Sequence, residues 1–265
     1  MFKFSRFSRF LIAVALFSVG VFAVGAYATH SWGNYHWART ANPLVLKLGD
    51  NVSSSWDAYL AAASSDWNAS SVLSTTVVPG RANPKNCRAT SGRVEVCNSK
   101  YGNNGWLGIA SIWATGDHIT KGTVKLNDTY FNTAKYNTPA WRQFVACQEV
   151  GHTFGLDHQD EVFTNTNLGT CMDYTNDPAG TLYGQLNNVH PNAHDYEELG
   201  IIYAHLDTFT SAFNKTASAQ ARDVDESNPS EWGKVVRKSH DGRASLYERN
   251  LGNGNKLFTF VIWAD

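Results

Sequence analysis

The stretch from Thr138 to His158 constrains this chain more than any other part of it. Thr138-Pro139 reads as a helix start, with a hydroxyl to accept from an unpaired amide and a proline at the first helical position. Trp141, Phe144, Val145 and Val150 then recur at helical spacing, and Gly155 is a natural stop. Gln148 and His152 are four residues apart, so a helix puts them on one face, with Glu149 beside them. A sharp turn at Gly155 returns His158 to the same place.

Those residue types in that order point to a metal. Two positions on one helix face and a third ligand after the turn can grip one ion and leave a fourth position open. That is how a catalytic zinc site differs from a closed structural one. Zinc lowers the pKa of a bound water to about 7 and polarises a carbonyl, and Glu149 is placed to take the proton.

Gln148-Glu149-Val150-Gly151-His152-Thr153-Phe154-Gly155-Leu156-Asp157-His158 resembles the signature H-E-x-x-H-x-x-G-x-x-H of the metzincin zinc peptidases, matrixin-like members included. It matches at every defined position but the first. Thr170-Cys171-Met172-Asp173-Tyr174 is similar to the methionine turn of that family. The resemblance implies that Met172 is a hydrophobic floor beneath the metal and that Tyr174 can approach the zinc. It implies that residues 107–111 are the edge strand along which a substrate lies, and that 191–196 open the last helix. It covers roughly residues 35 to 213. The expected fold is α+β: a twisted, mostly parallel sheet with an edge strand, the active-site helix, the methionine turn and a C-terminal helix. The expected function is that of a secreted metalloendopeptidase, which hydrolyses peptide bonds by a zinc-bound water with Glu149 as general base. Its partners would be peptides or proteins.

Gln148 departs from the pattern. A carboxamide offers only a neutral oxygen, whereas zinc prefers imidazole or thiolate. Two ligand sets follow: Gln148 ligating through that oxygen, or zinc resting on His152 and His158 with Tyr174 or a water. The alternative is a catalytically impaired secreted binding protein on the same scaffold.

The rest of the chain fits one catalytic domain. With 265 residues, 43% hydrophobic and 13% aromatic, it can bury a sizeable core. Lys3, Arg6 and Arg9 precede an apolar run over 10–26 that closes on Ala26-Tyr27-Ala28. Residues 1–28 therefore read as a signal peptide cut after Ala28, with an N-terminal membrane anchor as the alternative. Cleavage takes Lys+Arg from 22 to 19 against 23 Asp+Glu, a net charge of about −4. Nucleic acid is not an expected partner. After cleavage no stable membrane insertion is expected, and the chain is expected to be a monomer.

Four cysteines in an exported chain imply two disulfides. Cys87 and Cys97 lie close about a glycine-containing turn, which suggests a local bridge and leaves Cys147 with Cys171. Strands are expected at 44–48, 72–78, 93–97, 106–113 and 122–127, and helices at 53–68 and 193–213. Residues 214–232 read as a linker and 233–265 as a β-rich extension with three short runs, leaving 29–213 as the catalytic domain. His118 and His190 stand alone and are expected to be surface or core residues. No His/Asp cluster for a second zinc is evident. Asp157 reads either as a hydrogen-bonding support for the site or as a solvated turn residue, and His194 with Asp195 are expected to cap the last helix.

Overall fold

The computed structural model describes residues 30–182, 184–213 and 224–264. The expected signal peptide and part of the expected linker lie outside the described residues. Among those residues, no helix is long and apolar enough to cross a membrane.

One large mixed sheet organises the chain. Its strands are β1 (His36–Trp37), β2 (Leu44–Asn51), β3 (Leu73–Pro79), β4 (Val94–Ser99), β5 (Trp106–Thr115), β6 (His118–Asn127), β7 (Lys234–Lys238), β8 (Ala244–Gly252) and β9 (Asn255–Trp263). They lie in the order β3-β2-β4-β6-β5-β9-β8-β7, with β1 added along the start of β6. Pairing is parallel from β3 to β6 and for β1, and antiparallel from β6 through β5, β9 and β8 to β7.

Two expectations change here. The sheet is half antiparallel rather than mostly parallel. And β5, expected as the free edge, is an interior strand with β6 on one side and β9 on the other. Residues 233–265, read as an extension, supply β7, β8 and β9, which hydrogen-bond into the same sheet.

Side-chain patterns explain the placement. In β2, Leu44, Leu46 and Leu48 are buried while Val45 is exposed, the alternation of a strand with one covered face. Residues 106–114 of β5 are all buried, as expected for a strand covered on both faces. One cover is the main core, where Leu107, Ala110 and Ile112 meet Val145 and Val150. The other is a smaller cluster of Trp106, Ile109, Trp232 and Val261.

Helices α1 (Asp57–Trp67) and α3 (Pro139–His152) pack together over the sheet. The fully buried Trp67 indole donates to Cys147 O at 3.1 Å, so its N–H is satisfied at no cost to its apolar burial. A single turn, α2 (Asp128–Phe131), follows β6, and Asn127 caps it. Helix α4 (Ala193–Ile202) starts on a capping box of Asn192 and Asp195. Asp195 is thus a capping residue, while the N-cap itself is Asn192 and not His194. The helix stops near Ile202 instead of running to 213, because the following chain bonds elsewhere. Asp207 N donates to Arg39 O (2.8 Å) and Ser211 N to Ala38 O (3.0 Å).

Disulfides join Cys87 to Cys97 and Cys147 to Cys171. The second ties α3 to the segment that carries Met172.

Candidate metal and active site

Helix α3 begins as its sequence dictates. The Thr138 hydroxyl accepts from Trp141 N at 3.3 Å, and Pro139 occupies the first turn. Its last turn carries Gln148, Glu149 and His152, all fully buried. Gly155 follows with φ +103, where a Cβ would stand 2.6 Å from Tyr35 O, so only glycine makes this turn beside the N-terminal segment. That segment supports the turn from outside. Trp32 Nε1 donates to His152 O (3.2 Å) and Trp37 Nε1 to Thr153 O (2.8 Å).

The turn brings the two imidazoles together, with His152 Nε2 3.0 Å from His158 Nε2. Their other nitrogens fix the tautomers. His152 Nδ1 donates to Leu156 O (2.9 Å) and His158 Nδ1 to the Glu161 carboxylate (2.7 Å). Each Nε2 therefore faces the other with a lone pair, and burial pushes the His152 pKa well down, which favours its neutral form. Two such nitrogens at this distance need a cation between them, either a proton or a metal ion. Two nitrogens bound to one zinc at ~2.0–2.1 Å in tetrahedral geometry would stand about 3.3 Å apart, so the pair fits the ion closely.

The other buried groups agree with that reading. Gln148 Nε2 donates to Cys171 O at 2.8 Å, leaving Oε1 buried and without a partner. The oxygen, which is the atom able to ligate, is the free end. Both Glu149 oxygens are also buried without partners, and burial alone pushes this carboxyl well above the usual range. Such groups cost free energy unless something pairs them. Glu149 lies under Gly108 of β5, where a Cβ would come within 2.9 Å of its Cγ. Zinc is thus compatible with the donors present: His152, His158 and Gln148.

Met172 lies fully buried against the middle of that helical turn. A Cβ on Gly151 would be 2.7 Å from its Sδ and 2.6 Å from the Trp67 ring. Thr170 Oγ1 holds this loop, accepting from Met172 N (3.0 Å) and donating to Asp195 (2.5 Å). Tyr174 stacks obliquely on His158, with centroids 4.3 Å apart, but its hydroxyl donates to Val261 O of β9 at 2.8 Å. The Tyr174 hydroxyl therefore binds the neighbouring strand, while its ring packs on His158. Asp157 caps the His158 amide (2.8 Å) and pairs with Arg237 of β7.

Three contributors escape a reading of the sequence. Glu161 orients His158; its position three residues on is a local signal that a search for carboxylates supporting a ligand would detect. Arg237 and Phe260 come from the C-terminal strands and leave no local signal. The Phe260 ring lies flat on His152, with centroids 4.1 Å apart and planes at 11°. Of the set-aside histidines, His190 binds Asp66 at 2.7 Å, and His118 binds Asp207 at 3.1 Å.

The chain is thus a mixed α+β protein with a buried His152–His158 pair and, on the helix that carries His152, the buried Gln148 and Glu149. No family model matches its sequence, and no curated protein matches it. Among solved structures it is similar to high choriolytic enzyme 1, a hatching-enzyme zinc protease from the medaka fish Oryzias latipes. The two are 12% identical, with a TM-score of 0.34 over 65% of this chain and 96% of that one.

Proposed function

We propose that this chain is a secreted, zinc-dependent endopeptidase of the metzincin type, closed over its site in this state by its own C-terminal strand. The observation that carries the reading is the facing Nε2 pair of His152 and His158, 3.0 Å apart, with the unpaired Glu149 carboxyl on the same helix. His152, His158 and the Gln148 oxygen would hold zinc, and when bound the ion would supply a Lewis acid for a peptide carbonyl. Glu149 would take a proton from the attacking water and hand it to the leaving amine. Glu161 and Leu156 O keep the two imidazoles in the tautomers that this requires.

A substrate needs a place beside β5, and β9 fills that place. Phe260 and the Tyr174–Val261 hydrogen bond close the site, so hydrolysis requires β9 to move. The same observation favours a second reading, a secreted binding protein on this scaffold that holds zinc without cleaving.

Hydrolysis of an unfolded protein substrate by the full chain, by Glu149→Gln and by Phe260→Leu separates the two. The endopeptidase reading expects zinc-dependent cleavage that rises in Phe260→Leu and falls about 10²- to 10⁴-fold in Glu149→Gln. Equal rates in wild type and Glu149→Gln would sink it. Bound zinc with no cleavage, even in Phe260→Leu, supports the binding protein.

A further inference from the structure

A second cluster of ligand atoms lies apart from this site, at the far end of the N-terminal segment. His36 is on β1, His118 opens β6, and His205 and Asp207 follow α4. No two of these elements are adjacent in the chain, yet their polar atoms converge. His36 Nε2 lies 3.1 Å from His205 Nε2, and Asp207 Oδ1 lies 3.6 Å from the first and 3.7 Å from the second. His118 Nε2 approaches the same Oδ1 at 3.1 Å.

We propose that His36, His205 and Asp207 form a second zinc site, with His118 beside the carboxylate as fourth ligand or as its orienting donor. The triangle of the three donor atoms carries the argument. A point equidistant from all three can lie about 2.0 Å from each, the usual bond length of zinc to imidazole nitrogen or carboxylate oxygen.

The partners behind the ligands fit the same reading. His36 Nδ1 donates to Asn34 O at 2.7 Å, which leaves Nε2 as the lone-pair nitrogen aimed at the cluster. Asp207 Oδ2 accepts from Arg39 N at 2.9 Å, which turns Oδ1 toward the histidines and holds the carboxyl below its usual pKa range despite partial burial. Metal-site ligands are commonly oriented this way by their outer partners. His36 and Asp207 are largely buried, whereas the His205 side chain is 54% exposed, which gives an ion a path in.

The site would act as a clip. β1 begins one residue after Tyr35, whose carbonyl abuts Gly155, and it carries Trp37, which braces Thr153. A metal joining β1 to the chain after α4 would fix the segment on which the active-site turn rests.

The test is zinc content of the full chain in a His152→Ala, His158→Ala background, which removes the first cluster and makes the result independent of the endopeptidase reading. We expect one equivalent of zinc to remain, to be lost on adding His205→Ala, and to bind at least about 10-fold more weakly on adding Asp207→Asn, since even an outer partner of a ligand carries that much. Added zinc should raise the Tm of the background variant but not of its His205→Ala derivative. Because His205 is largely exposed, that substitution should leave the circular dichroism unchanged. Absence of zinc from the background variant, or its retention after His205→Ala, would overturn the proposal.

Discussion

The imidazole of His152 and the ring of Phe260 lie face to face, 4.1 Å apart, although 108 positions separate them in the chain. Phe260 is fully buried there and packs against Trp32 as well. Phe260→Ala removes a whole core ring and is expected to cost about 3–5 kcal/mol. Urea unfolding checks this; a loss below about 1 kcal/mol would mean that β9 does not pack on the site as described.

The same substitution should have opposite signs in two helices. Gly151→Ala drives a methyl into Trp67 and Met172 Sδ, with contacts of 2.6 and 2.7 Å. Overpacking of about 1–3 kcal/mol should outweigh the gain in helix propensity. Gly200→Ala, inside α4 with nothing near its Cβ, should stabilise by about 0.5–1 kcal/mol. Thermal denaturation of the two variants decides the matter.

Helix α3 was legible because its signals are local: Thr138 and Pro139 at its start, the apolar spacing, and Gly155 at its end. The strands other than β1 are legible for the same reason. The position of β9 was not, since β5 and β9 pair across at least 140 residues and neither names its partner. One clue was present. Residues 106–113 are apolar at both alternating sets of positions, save for Gly108 and Ser111, and an edge strand with one wet face has no use for such a run. The His36/His205/Asp207 cluster was hidden for a similar reason, because its members look solitary until the sheet and α4 bring them together.

The Cys147–Cys171 bridge closes a loop of 24 residues, and its removal is expected to cost about 3 kcal/mol. The Gln148 amide donates to the Cys171 carbonyl, so Cys147→Ala with Cys171→Ala should also loosen Gln148 and weaken zinc binding. Chemical denaturation and zinc titration read the two effects separately. An unchanged zinc affinity would show that the bridge serves stability alone.

Glu226 is buried between Thr123 and Lys125, and burial pushes its carboxyl up to about 7 despite the lysine. Its folded pKa lies above the unfolded value, so the protonated form is favoured in the fold. The contribution is full below about pH 4.5 and is lost as pH rises through about 7. The loss is on the order of 3 kcal/mol. Glu226→Gln should flatten this dependence and be more stable than wild type at pH 8. Equal slopes for the two proteins between pH 5 and 8 would contradict it.

The interior position of β9 also sets an order of events. As a chain emerges from its N-terminus, β5, α3 and the methionine turn are available long before the strand that will cover them. Long-range strand pairing of this kind is slow. During that interval Glu149 and the two imidazoles lie beside an unpaired strand edge. The last strand pair of the sheet to be made is thus the one that covers the site.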